Sequence, residues 1–121
     1  MICLLAGSKV VPLLVSAMTL AWTHSVEKIL WEEEWRSGPA GLELVEARVR
    51  GSGAGMEPPP EATSDHGVWK WRPNVPPLQE VALRRSGATA DWGICIEGRC
   101  RPMGEFVPPE ADPVVMKPCD G

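Results

Sequence analysis

The chain has 121 residues, enough for one compact domain with a real core and not comfortably for two. Apolar residues make up 44% and charged residues 23%, with a formal net charge of −4. That is the balance of a globular domain, and with Arg84-Arg85 as the sole Lys/Arg doublet it disfavours nucleic acid or an anionic membrane as a partner held by a charged face. Thirteen prolines and twelve glycines exclude long helices and favour short strands joined by tight loops.

Ile2 to Leu5 and Val10 to Val15 are apolar runs separated by Ala-Gly-Ser-Lys, a strand–turn–strand pattern. Val10 to Ala21 is too short to cross a bilayer and is broken by Pro12 and Ser16. The start carries only Lys9 and no clear small-x-small cleavage pattern, so two buried strands are expected here and not a signal peptide. Met18, Leu20, Trp22 and His24 then alternate with Thr19, Ala21, Thr23 and Ser25, the period of a half-buried strand. Val26 to Ile29 reads as a connection. Trp31, Glu33 and Trp35 share one face of the next strand, opposite Leu30, Glu32 and Glu34; a helix competes, because Trp31 and Trp35 also stand at i, i+4.

Leu42 to Arg50 reads as another strand, whose inward phase shifts from Leu42 and Leu44 to Val45, Ala47 and Val49. Such a shift predicts a β-bulge or a strand shared between two faces. A Pro-rich surface loop is expected over 57–67. Short strands follow at Val68 to Trp71, Leu78 to Arg84 and Asp91 to Ile96. The Pro-rich stretch 107–121 reads as a loosely packed tail. The sum is a single β-rich domain over 1–121, all-β, an antiparallel β-sandwich or small open barrel of about eight short strands. Six tryptophans with one Phe and no Tyr predict a core built around indoles, each needing a partner for its N–H when buried.

The stretch Thr19 to Trp35 joins three tryptophans to His24, Ser25, Glu27, Lys28 and Glu32 to Glu34. A neutral imidazole with carboxylates has the donors for a divalent metal or for acid–base work, so His24, Glu27 and Glu33 form one candidate set, though without a His-Glu-x-x-His spacing. Ser25 beside His24 points to the opposite strand face, which argues against a nucleophile pair. Glu32 and Glu34 read as a solvated face paired with Lys28 and Arg36. Glu33 differs, because it lies among tryptophans; its natural partners are His24, Lys28, Arg48 or Arg50. Gly51-Ser-Gly-Ala-Gly55 has alternate glycines able to present N–H groups to an anion, or simply a bent strand exit. Trp69, Trp71 and Trp92 read as core packing ahead of ligand stacking.

Cys95 and Cys100 flank Ile-Glu-Gly-Arg. A two-residue turn at Glu97-Gly98 sets them opposite each other with Cα atoms about 4.5 Å apart, so a disulfide is expected in an oxidising compartment. Cys3 and Cys119 would pair only if the chain ends meet, and no pairing is assigned to them.

With these residues in hand, the chain resembles the bacterial and archaeal domain-of-unknown-function family 1850. The resemblance rests on Thr-His-Ser-Val-Glu-Lys at 23–28 with Trp-Glu-Glu at 31–33, on Leu-Val-Glu-Ala-Arg at 44–48 leading into Gly-Ser-Gly-Ala-Gly-Met at 51–56, and on Trp92-x-x-Cys95 with Gly98-x-Cys100-Arg-Pro102. It spans about two thirds of the chain and brings no catalytic residues. It implies a context, since such proteins are often encoded beside TAXI-class components of TRAP-type transporters. An accessory role in solute uptake outside the cytoplasmic membrane is then expected, although no clear export signal is read in this chain.

The leading expectation is a non-enzymatic domain that binds a small ligand or a transporter component and needs no cofactor. Its candidate ligand-binding residues are His24, Ser25, Glu27, Lys28, Glu33, Glu46, Arg48, Gly53 and Gly55. The alternatives are a metal-dependent enzyme or metal-binding protein using His24, Glu27 and Glu33, and a structural polar network with no ligand site.

Overall fold

The computed structural model describes residues 1–23, 29–50, 59–86 and 90–120. Short runs with period-2 patterning become strands: β1 Ile2–Ala6, β2 Lys9–Pro12, β3 Ala17–Thr23, β4 Leu30–Gly38, β5 Gly41–Arg50, β6 Thr63–Asp65, β7 Val68–Trp71, β8 Val81–Leu83, β9 Gly93–Ile96, β10 Arg99–Pro102 and β11 Val114–Pro118. The described residues hold one further element, a single 3-10 turn at Met103–Glu105. Every strand pair is antiparallel. A four-stranded sheet runs β2-β1-β11-β8, and a seven-stranded sheet runs β10-β9-β3-β4-β5-β7-β6. The two form a sandwich and not a closed barrel. No helix among the described residues is long and apolar enough to cross a membrane.

One apolar cluster joins the sheets. Ile2, Leu4, Val114, Met116 and Leu83 from the small sheet meet Met18, Leu20, Trp35, Leu42 and Ile94 from the large one. The fully buried side chains are aliphatic or Met. The expected indole core is therefore corrected. Only Trp35 is buried, while Trp92, Trp22, Trp31 and Trp71 make a row across one part of the large sheet, with ring centroids 5.1, 6.1 and 6.3 Å apart in that order. At the centre, Leu, Ile and Met fill most of the space without a polar atom to satisfy, whereas each buried indole brings an N–H that needs a partner.

The competition between helix and strand over Trp31 to Trp35 is settled by pairing: β4 is sandwiched between β3 and β5, with Trp35 opposite Met18 and Leu44. The phase shift read in the next strand is a bulge. Glu34 pairs with Glu46 and Trp35 with Leu44, so Val45 is the extra residue. It lets Leu42 and Leu44 on one side of it, and Ala47 and Val49 on the other, all face the core. Gly41 has φ 130°, and a Cβ there would lie 2.6 Å from the Leu78 carbonyl oxygen, so glycine is required where Leu42 bridges to Leu78.

The hairpin at Cys95 forms as the spacing requires. Glu97 and Gly98 both take positive φ, 51° and 81°, Ile96 faces Arg99, and Cys95 is bonded to Cys100 with Cα atoms 3.9 Å apart. The reading of the last stretch is overturned. The stretch 107–121 is no loose tail: β11 lies between β1 and β8, with Val114 and Met116 fully buried. Prolines at Pro113 and Pro118 bracket that strand without interrupting its ladder, which is why a proline count misread it. Cys3 and Cys119 are bonded, because β1 and β11 pair side by side and bring the chain ends together. The 57–67 stretch contributes β6 on the far edge of the large sheet.

A polar node secures the passage between the sheets. The Arg85 side chain is 8% exposed and donates from Nε and Nη2 to the two oxygens of Asp91, at 3.0 and 2.7 Å. Its Nη1 donates to the carbonyls of Pro108 and Ala111. Asp91 also accepts from the backbone N–H of Trp92 and of Gly104. Burial opposes ionisation of Asp91, but the Arg85 hydrogen bonds and charge and the two N–H donors outweigh it and hold the carboxyl below its ordinary range. The node pins the 3-10 turn and the segment that leads into β11.

The two disulfides close loops of very different length, with sequence separations of 116 and 5. Chain-entropy arguments give about 4–5 kcal/mol for a loop of the longer size and about 2 kcal/mol for the shorter. Replacing Cys3 and Cys119 with Ser is expected to lower the urea midpoint more than replacing Cys95 and Cys100. The opposite order would show that joining the chain ends is not what the longer bridge contributes.

Candidate functional site

The central three strands of the large sheet, β3, β4 and β5, set which charged side chains meet. Residues paired directly across antiparallel strands point to the same side. Leu20 pairs with Glu33, and Glu33 with Ala47, so Glu33 lies on the core side. Ala21 pairs with Glu32, and Glu32 with Arg48, so both lie on the outer side. Glu34 and Glu46 form the next outer pair, and Lys70 of β7 stands opposite Arg48.

On that outer face, charges are partly withdrawn from water. The Glu32 side chain is 13% exposed and accepts from Arg50 Nε at 2.8 Å, with Arg48 Nε 3.8 Å away. The Arg48 side chain is 18% exposed and donates from Nη1 to Glu46 at 2.8 Å. Two clefts open over this network. One, of about 600 Å³, reaches from Thr19, Glu32 and Glu34 to the Cys95–Cys100 hairpin. The other, of about 410 Å³, lies between Arg48, Arg50 and Lys70 on one side and Asp65 and His66 on the other. Glu34 and Lys70 make no ion pair among the described residues. Arg36, the partner read for the glutamates, pairs with Glu43 instead, at 2.9 Å.

The expectation that Glu32 and Glu34 merely solvate a face is thus corrected. Seven strands make a sheet wide enough for its central outer positions to be shielded by the hairpin on one side and by β6 and β7 on the other. Of the partners read for Glu33, His24 and Lys28 lie outside the described residues and the other two are corrected. Arg48 and Arg50 face away from it, and no ion pair reaches it among the described residues. Burial between Trp31 and Trp35 raises the Glu33 pKa above its ordinary value of 4.5, and the nearby Trp35 indole offsets this only in part. The Trp31 and Trp35 N–H groups make no hydrogen bond of good geometry among the described residues.

Of the residues singled out in the sequence, Glu46 and Arg48 are brought together with each other, and Glu33 is separated from both by the thickness of the sheet. His24, Ser25, Glu27, Lys28, Gly53 and Gly55 lie outside the described residues. The strand ends that carry those segments are neighbours: Thr23 pairs with Leu30, Leu30 with Arg50, and Arg50 with Val68. Segments 24–28 and 51–58 therefore both leave the sheet from that one row. Of the proposed metal set only Glu33 is described, and no group of three or more His, Cys, Asp or Glu among the described residues is arranged to hold a metal. Sequence reading missed Glu32, Glu34, Arg50 and Lys70. The available signal was their outward phase on three adjacent strands, visible only once the pairing of β5 with both β4 and β7 is known.

Two antiparallel sheets with a charged cleft on the wider one define an all-β sandwich domain with a polar concave outer face. A family model described as "Domain of unknown function (DUF1850)" matches residues 18–103, and the chain belongs to that family. No curated protein and no solved structure gives a significant match. The matched span runs from β3 through the Cys95–Cys100 hairpin to Met103, and so includes every strand that lines the two clefts.

Glu33 carries a pH consequence. Its folded-state pKa is raised, so the folded protein holds that proton to higher pH than the unfolded chain, and stability is lost as pH rises through the folded value. Glu33→Gln is expected to raise the urea midpoint at pH 7 and to leave it unchanged well below pH 4.5, where the wild-type carboxyl is protonated in both states. A loss of stability at pH 7 would mean that the carboxylate has a partner that stabilises its charge.

Proposed function

We propose that the protein is a non-enzymatic binding domain that takes a small charged organic solute in the outer cleft of the seven-stranded sheet. The observation that carries the reading is the ion-paired set Glu32, Arg48 and Arg50, which lines both outer clefts, with Glu34 in one and Lys70 in the other making no ion pair among the described residues. Partly desolvated charges of both signs strengthen interactions with a charged ligand relative to bulk water. They also discriminate by charge placement, since a mismatched ligand sets like charges against each other. Arg48 and Arg50 offer planar donors for a carboxylate, and Glu34 accepts from an ammonium group.

The proposed setting is extracytoplasmic, accessory to TRAP-type solute uptake. All four cysteines are held in two disulfides, the usage of an oxidising compartment. The frequent neighbourhood of such family members to TAXI-class transporter components supports the same role.

The test is calorimetric titration of the full chain with glutamate, lysine, succinate and glucose. At least one charged probe is expected to bind and glucose is not. Arg48→Met should weaken that binding about tenfold or more, the loss of one charge-assisted contact of about 1.5–3 kcal/mol. Glu34→Gln, at a position without an ion pair among the described residues, should change the preference among the charged probes while the circular dichroism spectrum stays that of the parent. Failure of every charged probe to bind at millimolar concentration, or binding indifferent to both substitutions, would overturn the assignment.

A further inference from the structure

A sandwich normally keeps its apolar side chains inside and presents polar ones outward. The four-stranded sheet departs from this. Val10 pairs with Leu5, Leu5 with Val115, and Val115 with Ala82, so four aliphatic side chains form a row across β2, β1, β11 and β8. That row is on the outer face, because the intervening residues Leu4, Met116 and Leu83 fill the core. Val10 is 57% exposed. A groove of about 690 Å³ runs along this face with Leu5 and Val115 in its lining, and Glu80, Glu110 and Asp112 bring carboxylates to it against the single cation of Lys117. Asp112 already accepts from the Arg85 N–H and has Arg84 3.8 Å away. Glu80 and Glu110 have no ion pair among the described residues.

We infer that this face is a docking surface for a segment of a partner protein that combines aliphatic side chains with Lys or Arg. Exposed apolar rows of this kind mark protein contacts, and the carboxylate rim selects the sign of the partner's charge. A second copy of this chain is the wrong occupant. It would bring Glu80 and Glu110 against the same groups, and the whole chain carries a net charge of −4. An anionic bilayer is repelled for the same reason. Strand addition at the β2 edge is also disfavoured, because that edge carries Lys9 and Pro12. The partner segment therefore lies across the face and does not extend the sheet. This surface is on the opposite sheet from the solute cleft, so the two bindings are separable.

The test is fluorescence anisotropy of labelled peptides titrated with the full chain. Three peptides of equal length are used: an amphipathic Leu/Lys sequence, its Leu/Glu counterpart, and a Ser/Lys sequence of the same charge as the first. The Leu/Lys peptide is expected to bind about tenfold or more tightly than either of the others. Val10→Asp, at an exposed edge position, should remove that advantage while leaving solute binding in the other cleft intact. Glu80→Lys with Glu110→Lys should transfer the preference to the Leu/Glu peptide, whereas Glu61→Lys, remote in sequence from the groove, should not. Equal binding of the Leu/Lys and Ser/Lys peptides would reduce the effect to unspecific charge attraction and overturn the proposal. So would insensitivity to Val10→Asp, or a concentration-dependent dimer that Val10→Asp abolishes.

Discussion

The pairing of β4 with β5, with one extra residue at Val45, is the constraint on which the rest of the molecule depends. Without the bulge, a ten-residue strand of strict alternation would put either Leu42 and Leu44 or Ala47 and Val49 on the outside, since a one-residue slip reverses every side chain. With it, both apolar pairs reach the core and Glu46, Arg48 and Arg50 all turn outward. The same pairing fixes Glu32 and Glu34 on the outer face and Glu33 on the inner one. The charged cleft and the apolar interior are thus two consequences of a single register.

Much of this was legible in the sequence. Alternation over Met18 to Thr23 gave β3 and its faces, the change of phase within Leu42 to Arg50 marked the bulge, and the Glu-Gly turn between two cysteines located the β9–β10 hairpin. What could not be read was pairing between elements far apart in the chain. β11 closes the small sheet only because β1 lies beside it, and that relation, which also brings Cys3 to Cys119, has no local signature. The candidate site was legible only in part for a related reason. Phase alone said correctly that Glu33 keeps company with tryptophans, but tryptophan-lined does not mean concave. The concavity lies on the other face, where the hairpin and the β6–β7 pair rise on either side of the central strands.

The two sheets differ accordingly. The large one carries partly desolvated charge at its centre, a poor contribution to stability in itself because ion pairs in such places barely offset their desolvation. The small one carries aliphatic groups outward, equally without benefit to an isolated domain. The Arg85–Asp91 node differs from both, since its donors and acceptors are matched to each other and to backbone groups of the 3-10 turn and the β11 approach. It is a structural polar network, whereas the Glu34 and Lys70 side chains beside the cleft have no ion-pair partner among the described residues.

The proposed solute site lies on the outer face of the large sheet, away from the tryptophans. Nitrogen–proton correlation spectra resolve this directly, because the arginine Nε–H groups of Arg48 and Arg50 report on the outer face and the indole N–H groups of Trp22, Trp31 and Trp35 on the inner one. On titration with the charged probe that binds, the two arginine signals are predicted to shift together while the three indole signals stay in place. Movement of the indole signals with the arginines unchanged would place the site on the tryptophan-bearing face and contradict the account.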